Sequence, residues 1–195
     1  MNNQNRGEKT VGDWLSEQNI IDPDEYSTAI LWPKEFSIAN SLKKDANINE
    51  ILAVSDTPNN PVIRGIDGVS QYEFLTHELA DRLQTQVNLE YGWAIADDTI
   101  KSLEEGLNLE EAFSKIAKTS DQFLSSGGHS VYNLESTGSR YQIPKDEDLT
   151  AYENQLSFGR GLQEVLEENY GGEATLYEGP EFRTKDPHLI WKKPE

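Results

Sequence analysis

Ser70–Val87 reads SQYEFLTHELADRLQTQV, and its pattern is that of an amphipathic helix. Ser70 with Glu73 makes the S-x-x-E arrangement, in which hydroxyl and carboxylate each satisfy an N–H of the first turn. Tyr72, Leu75, Leu79, Leu83 and Val87 then recur every three or four residues, forming one stripe on a helical period. The spacing predicts a helix over 71–87.

Working outward from this segment, similar signals recur. Asp97 or Asp98 caps a second helix with Ile100 and Leu103 inside, and Gly106 followed by Leu107 suits a Schellman ending. Asn108 with Glu111 caps a third, whose buried face is Leu109, Ala112, Phe113, Ile116, Phe123 and Leu124; Gly127-Gly128 closes it. Residues 128–147 mix short β-like runs with turn residues and suit a hairpin or an extended arm. Asp148 caps a fourth helix carrying Leu149, Tyr152 and Leu156. Gly159-Arg160-Gly161 is expected to kink it before Leu162, Val165, Leu166 and Tyr170, and Gly171-Gly172 ends it.

The flanks are less regular. Val11, Trp14, Leu15 and Ile20 suggest a short helix, Ala29-Ile30-Leu31-Trp32 a strand, and Ala174-Thr175-Leu176-Tyr177 another. The remainder, to Glu195, is punctuated by proline. The expected fold class is mainly α, with α+β as the alternative. It comprises an irregular segment at 1–69, a helical core domain at 70–172 and an extended tail at 173–195.

Asp and Glu number 35 against 17 Lys and Arg, a formal net charge of −18 over 195 residues, spread evenly along the chain. Such a surface repels polyanions and anionic membranes, so direct nucleic-acid or membrane binding is not expected. There is no cysteine, which excludes disulfides, thiolate catalysis and Cys-ligated zinc. Met1–Arg6 has no apolar core of a signal peptide, and no run approaches the roughly 18 apolar residues of a membrane span. The expected location is the cytoplasm, or a virion assembled there.

Motifs that carry chemistry are weak. His77-Glu78-Leu79-Ala80-Asp81 resembles the zinc-protease signature H-E-x-x-H with Asp for the second His, on what reads as the polar face of the helix. Gly127-Gly128-His129-Ser130 sets a histidine beside a serine, without the G-x-S-x-G elbow of a serine hydrolase. Neither G-x-x-x-x-G-K-[ST] nor G-x-G-x-x-G occurs, so no phosphate cradle is marked. Asp22-Pro23-Asp24-Glu25 lacks the glycine of a calcium loop. Asp146-Glu147-Asp148 reads as a helix cap. No catalytic residue, cofactor or metal is expected.

The local excess of positive charge lies in the last 13 residues, where Arg183, Lys185, Lys192 and Lys193 surround Trp191. A basic tail with an embedded indole suits docking to another subunit, or folding back onto its own core. Trp14 near the other end is a second interface candidate. The function expected on this basis is a non-enzymatic structural subunit of a protein assembly, such as a virion head–tail connector or accessory protein. Partners would be other protein subunits in an oligomer or hetero-assembly, and a high-salt host would account for the acidity. Two alternatives remain: an acidic mimic of nucleic acid that occupies a DNA-handling enzyme, and a hydrolase or metalloenzyme built on His77 or His129.

Overall fold

Thr28–Pro33 (TAILWP) and Glu50–Val54 (EILAV) are nearly unbroken apolar runs, the composition of parallel strands covered on both faces. They form β1 and β2 of a seven-stranded sheet. The others are β3 (Val69–Tyr72), β4 (Thr85–Tyr91), β5 (Leu124–Asn133), β6 (Glu173–Tyr177) and β7 (His188–Lys192). The computed structural model describes residues 10–20, 28–33, 43, 48, 50–54, 69–72, 85–91, 108–140, 145–178 and 186–195.

The strand order is β3-β2-β1-β4-β5-β7-β6. β1 pairs in parallel with both β2 and β4, through Ala29↔Ile51 and Ala29↔Val87. β3 extends the parallel array beyond β2, and β5 extends it beyond β4. β7 runs antiparallel between β5 and β6, with Val131↔Ile190 and Thr175↔Ile190 in register.

Four described helices accompany the sheet: α1 (Val11–Glu17), α2 (Leu109–Phe123), α3 (Leu134–Arg140) and α4 (Ala151–Tyr170). Thr10 with Asp13, Asn108 with Glu111 and Thr150 with Glu153 each form a reciprocal capping box at the start of α1, α2 and α4. α2 links the parallel pair β4–β5 and packs beside α4, with the Phe113 and Phe158 rings stacked at 5.3 Å. A Cβ on Gly161 would come within 2.5 Å of the Phe113 ring, so glycine there allows the two helices to close. Beneath them lie Tyr132, Leu189 and Trp191 from the sheet and Ile116, Leu134, Leu162 and Leu166 from the helices. Burial of each large apolar side chain contributes on the order of 1.5–3 kcal/mol.

Strands alternate faces. Tyr132, Leu189 and Trp191 serve the α2–α4 side, while His188, its partner Tyr177 and Trp14 of α1 meet on the opposite side.

The expectation of a mainly helical domain is therefore corrected: the fold is α/β, built on a mostly parallel sheet. At the two ends of the expected helix 71–87, β3 takes Gln71 and Tyr72 and β4 takes Thr85–Val87, while residues 73–84 lie outside the described residues. Helix propensity and a local capping pattern are weak priors, and pairing with β1, β2 and β5 outweighs them. The 97–106 helix lies outside the described residues.

α4 begins at Thr150 rather than Asp148 and runs unbroken through Gly159 and Gly161. Gly127-Gly128 lies inside β5, and the stretch expected to be a hairpin or arm is β5 followed by α3. The proline-punctuated tail supplies β7.

Candidate functional site

β2 and β4 flank β1 on opposite sides, so the connections from β1 and β4 leave in opposite directions. Ligands of open α/β sheets bind outside the carboxyl ends of the strands at such a reversal. The two ends coincide here: Pro33 of β1 is in register with Tyr91 of β4, and Trp32 with Glu90. Asn133 closes β5 on the same edge, where His188 opens β7 and Tyr177 ends β6.

A buried polar cluster occupies that edge on the α1 side. Asn133 Nδ2 donates to Asp186 Oδ2 at 3.1 Å, across 53 residues of chain. His188 is fully buried, and burial pushes its pKa down to about 4. A neutral imidazole beside a carbonyl, which only accepts, must carry its proton on the facing nitrogen. Nδ1 of His188 therefore donates to the Asp186 carbonyl at 2.7 Å. The Trp14 ring stands edge-on to both His188 and Tyr177, at 5.4 Å from each, and Tyr177 donates its phenolic proton to Gln18 Oε1 at 3.1 Å. α1 thus seals the β5–β7–β6 part of the carboxyl edge.

His129 and Ser130 sit in the middle of β5. Gly127 has φ +72° and its N–H donates to the Pro194 carbonyl at 3.2 Å. A Cβ on Gly128 would approach the Gln86 carbonyl to 2.9 Å, so the glycine pair lets β5 lie against β4 where their register shifts. Consecutive strand residues face opposite sides, which separates the His129 ring from the Ser130 hydroxyl. Burial, with the Lys192 charge alongside, holds His129 below the usual histidine range. No group of His, Asp or Glu suited to a metal occurs among the described residues. His77, Asp81 and Asp22–Glu25 lie outside them.

The aromatic and basic candidates take varied positions. Trp191 is fully buried and its indole N–H donates to the Gly171 carbonyl at 2.9 Å. Trp14 is 3% exposed, held in the sheet-edge cluster. Lys193 Nζ reaches the Asp121 and Leu124 carbonyls, whereas Lys192 is exposed. Arg183 and Lys185 lie outside the described residues. Asn133 and Asp186 were invisible in the sequence as a pair, because no local spacing links them.

No known protein family model matches the chain, and no curated protein matches it. Solved structures do. A protein from Corynebacterium glutamicum is 10% identical, with a TM-score of 0.54, over 94% of this chain and 80% of that one. A candidate caffeoyl-CoA O-methyltransferase from Staphylococcus aureus is 9% identical, with a TM-score of 0.52, over 94% and 80%. A candidate hemolysin from Streptococcus thermophilus is 12% identical, with a TM-score of 0.52, over 100% and 70%.

These likenesses establish the α/β fold. A sheet of this type, matched over nearly the whole chain by a candidate methyltransferase, overturns the expectation of a non-enzymatic assembly subunit. The virion and high-salt readings find no support in the fold or in the similar structures. No helix among the described residues is long and apolar enough to cross a membrane.

Proposed function

We propose that the chain is an enzyme of the methyltransferase fold, with its methyl donor at the β1–β4 reversal. One observation carries this reading: a 3-2-1-4-5-7-6 sheet with β7 antiparallel, in a fold similar to that of the candidate O-methyltransferase over 94% of this chain.

The strand ends help to choose the donor class. Between Pro33 and Gly65 the sequence has no glycine, so the glycine-rich turn that lets a backbone approach a pyrophosphate is missing after β1. A net charge of −18 also disfavours a dinucleotide or a nucleoside triphosphate. Trp32, Glu90 and Tyr91 stand at the carboxyl ends of β1 and β4, an aromatic and acidic set. That set fits a cationic nucleoside without phosphates, which is the chemistry of S-adenosylmethionine. Bound there, the donor supplies an electrophilic methyl group on sulfur. Glu90, by register at the carboxyl end of β4, is the residue assigned to its hydroxyl or ammonium groups, and α1 covers the adjoining part of the edge.

Calorimetric titration with S-adenosylhomocysteine and, separately, with NAD tests the reading. Binding of the former in the range of about 1–100 μM, weakened about tenfold in Glu90→Gln, with no heat from NAD, is the expected result. Binding of NAD with none of S-adenosylhomocysteine would overturn it.

A further inference from the structure

A cavity of about 350 Å³ lies between the first turn of α2, the helix α3 and the N-terminal half of α4. Leu134 and Phe158 form its floor, and Leu109 and Leu149 flank its mouth. Its volume is within the range of small-molecule sites.

Three observations mark it as a place to be filled. Leu109 and Leu149 are 42% and 38% exposed, two of the three most exposed large apolar side chains described. Both flank this opening, so a ligand would remove from water the apolar surface that the fold leaves wet. Gly138 of α3 also faces the cavity. Among the described residues a Cβ built there meets nothing nearer than Phe158 Cδ1 at 4.0 Å, so they leave room for a side chain at this helical position. The remaining lining is mostly polar and surrounds the Leu134–Phe158 base, the arrangement that orients a molecule with one polar end.

The rim selects the ligand's chemistry. Lys145 and Gln155 line the opening, and neither side chain is hydrogen-bonded or ion-paired to another described residue. Both offer N–H groups, which suits an oxygen acceptor on the ligand. Glu135 and Asp146 also stand at the rim and, with the acidic surface as a whole, weigh against a full negative charge. We infer that this cavity binds an uncharged, apolar small molecule of aromatic or branched-chain size that presents one carbonyl oxygen to Lys145 and Gln155. The inference stands independently of the methyl-donor reading.

Prodan, a neutral naphthyl ketone whose emission shifts to the blue in apolar surroundings, is a direct probe on the full chain. The expected result is a saturable blue shift with about one equivalent bound and prodan favoured over the anionic 1-anilinonaphthalene-8-sulfonate. Gly138→Leu, which grows a side chain into the cavity, should weaken prodan binding at least about tenfold, while Gly138→Ala retains it. Far-UV circular dichroism and the thermal midpoint of each variant report on folding, and titration with S-adenosylhomocysteine reports separately on the donor crevice. Equal prodan affinity in a folded Gly138→Leu protein, tighter binding of the anionic dye, or no saturable shift in the unmodified chain would each overturn the inference.

Discussion

The ammonium of Lys193 lies 2.9 Å from the Asp121 carboxylate and donates to the Asp121 and Leu124 carbonyls at 2.6 and 3.1 Å. The residue after β7 thus closes the carboxyl end of α2, where helix carbonyls lack partners and favour a cation. Lys193→Met removes both roles. The ion pair itself adds little, because Asp121 is 35% exposed and water screens it. The lost carbonyl contacts dominate, and the expected cost is about 1–2 kcal/mol. Urea denaturation should show a lower midpoint at unchanged slope.

His188 predicts a pH dependence. Its folded pKa of about 4 lies below the unfolded value of 6.5 because burial opposes the charged ring. Below pH 6.5 the unfolded chain takes up a proton that the folded chain refuses. The stability contributed by the neutral ring is full above that pH and is lost as pH falls toward about 4, by up to about 3 kcal/mol. Urea midpoints at several pH values should fall more steeply with acidity in the unmodified protein than in His188→Gln. Parallel slopes would dismiss the assignment.

Trp14 holds α1 to the sheet. Seven residues form no stable helix alone, so α1 depends on the contacts of Trp14 with Tyr177 and His188. Trp14→Ala should cost about 3–5 kcal/mol, and Trp14→Phe distinctly less. Hydrogen exchange offers the sharper measurement: in Trp14→Ala the amides of α1 should lose protection before those of α4.

Gly172 adopts φ +83°, and a Cβ there would collide with the Lys192 carbonyl oxygen. Both the left-handed backbone and the close approach of β7 require glycine. Gly172→Ala should therefore destabilise by more than the roughly 1 kcal/mol typical of left-handed strain alone, on the order of 2–4 kcal/mol. A thermal midpoint within a degree of the unmodified chain would refute this.

Much of the helical layer was readable from local signals. Asn108 with Glu111 marks the start of α2, and the apolar stripe through Phe113 and Ile116 marks its buried face. The run Ala29–Trp32 reads as strand, and so does Ala174–Tyr177. Ser70 and Glu73 carry the same kind of cap signal, yet β3 holds Ser70, because capping spacing says nothing about a neighbouring strand. The glycines of α4 suggest a kink. In the folded chain Gly161 instead meets the Phe113 ring, a contact between separate elements.

The polar edge was still less accessible. Asn133, Asp186 and His188 come together only because β7 returns antiparallel beside β5.

Residue order alone established the acidic composition, the lack of cysteine, the Asn108–Glu111 cap and the lack of glycine-rich phosphate motifs, since each follows from composition or from neighbours within a few positions. The parallel sheet, the strand-order reversal and the burial of His188 arose only on folding. Parallel strands bond to partners far away in the chain, and strands covered on both faces carry no alternation to announce which partner they will meet.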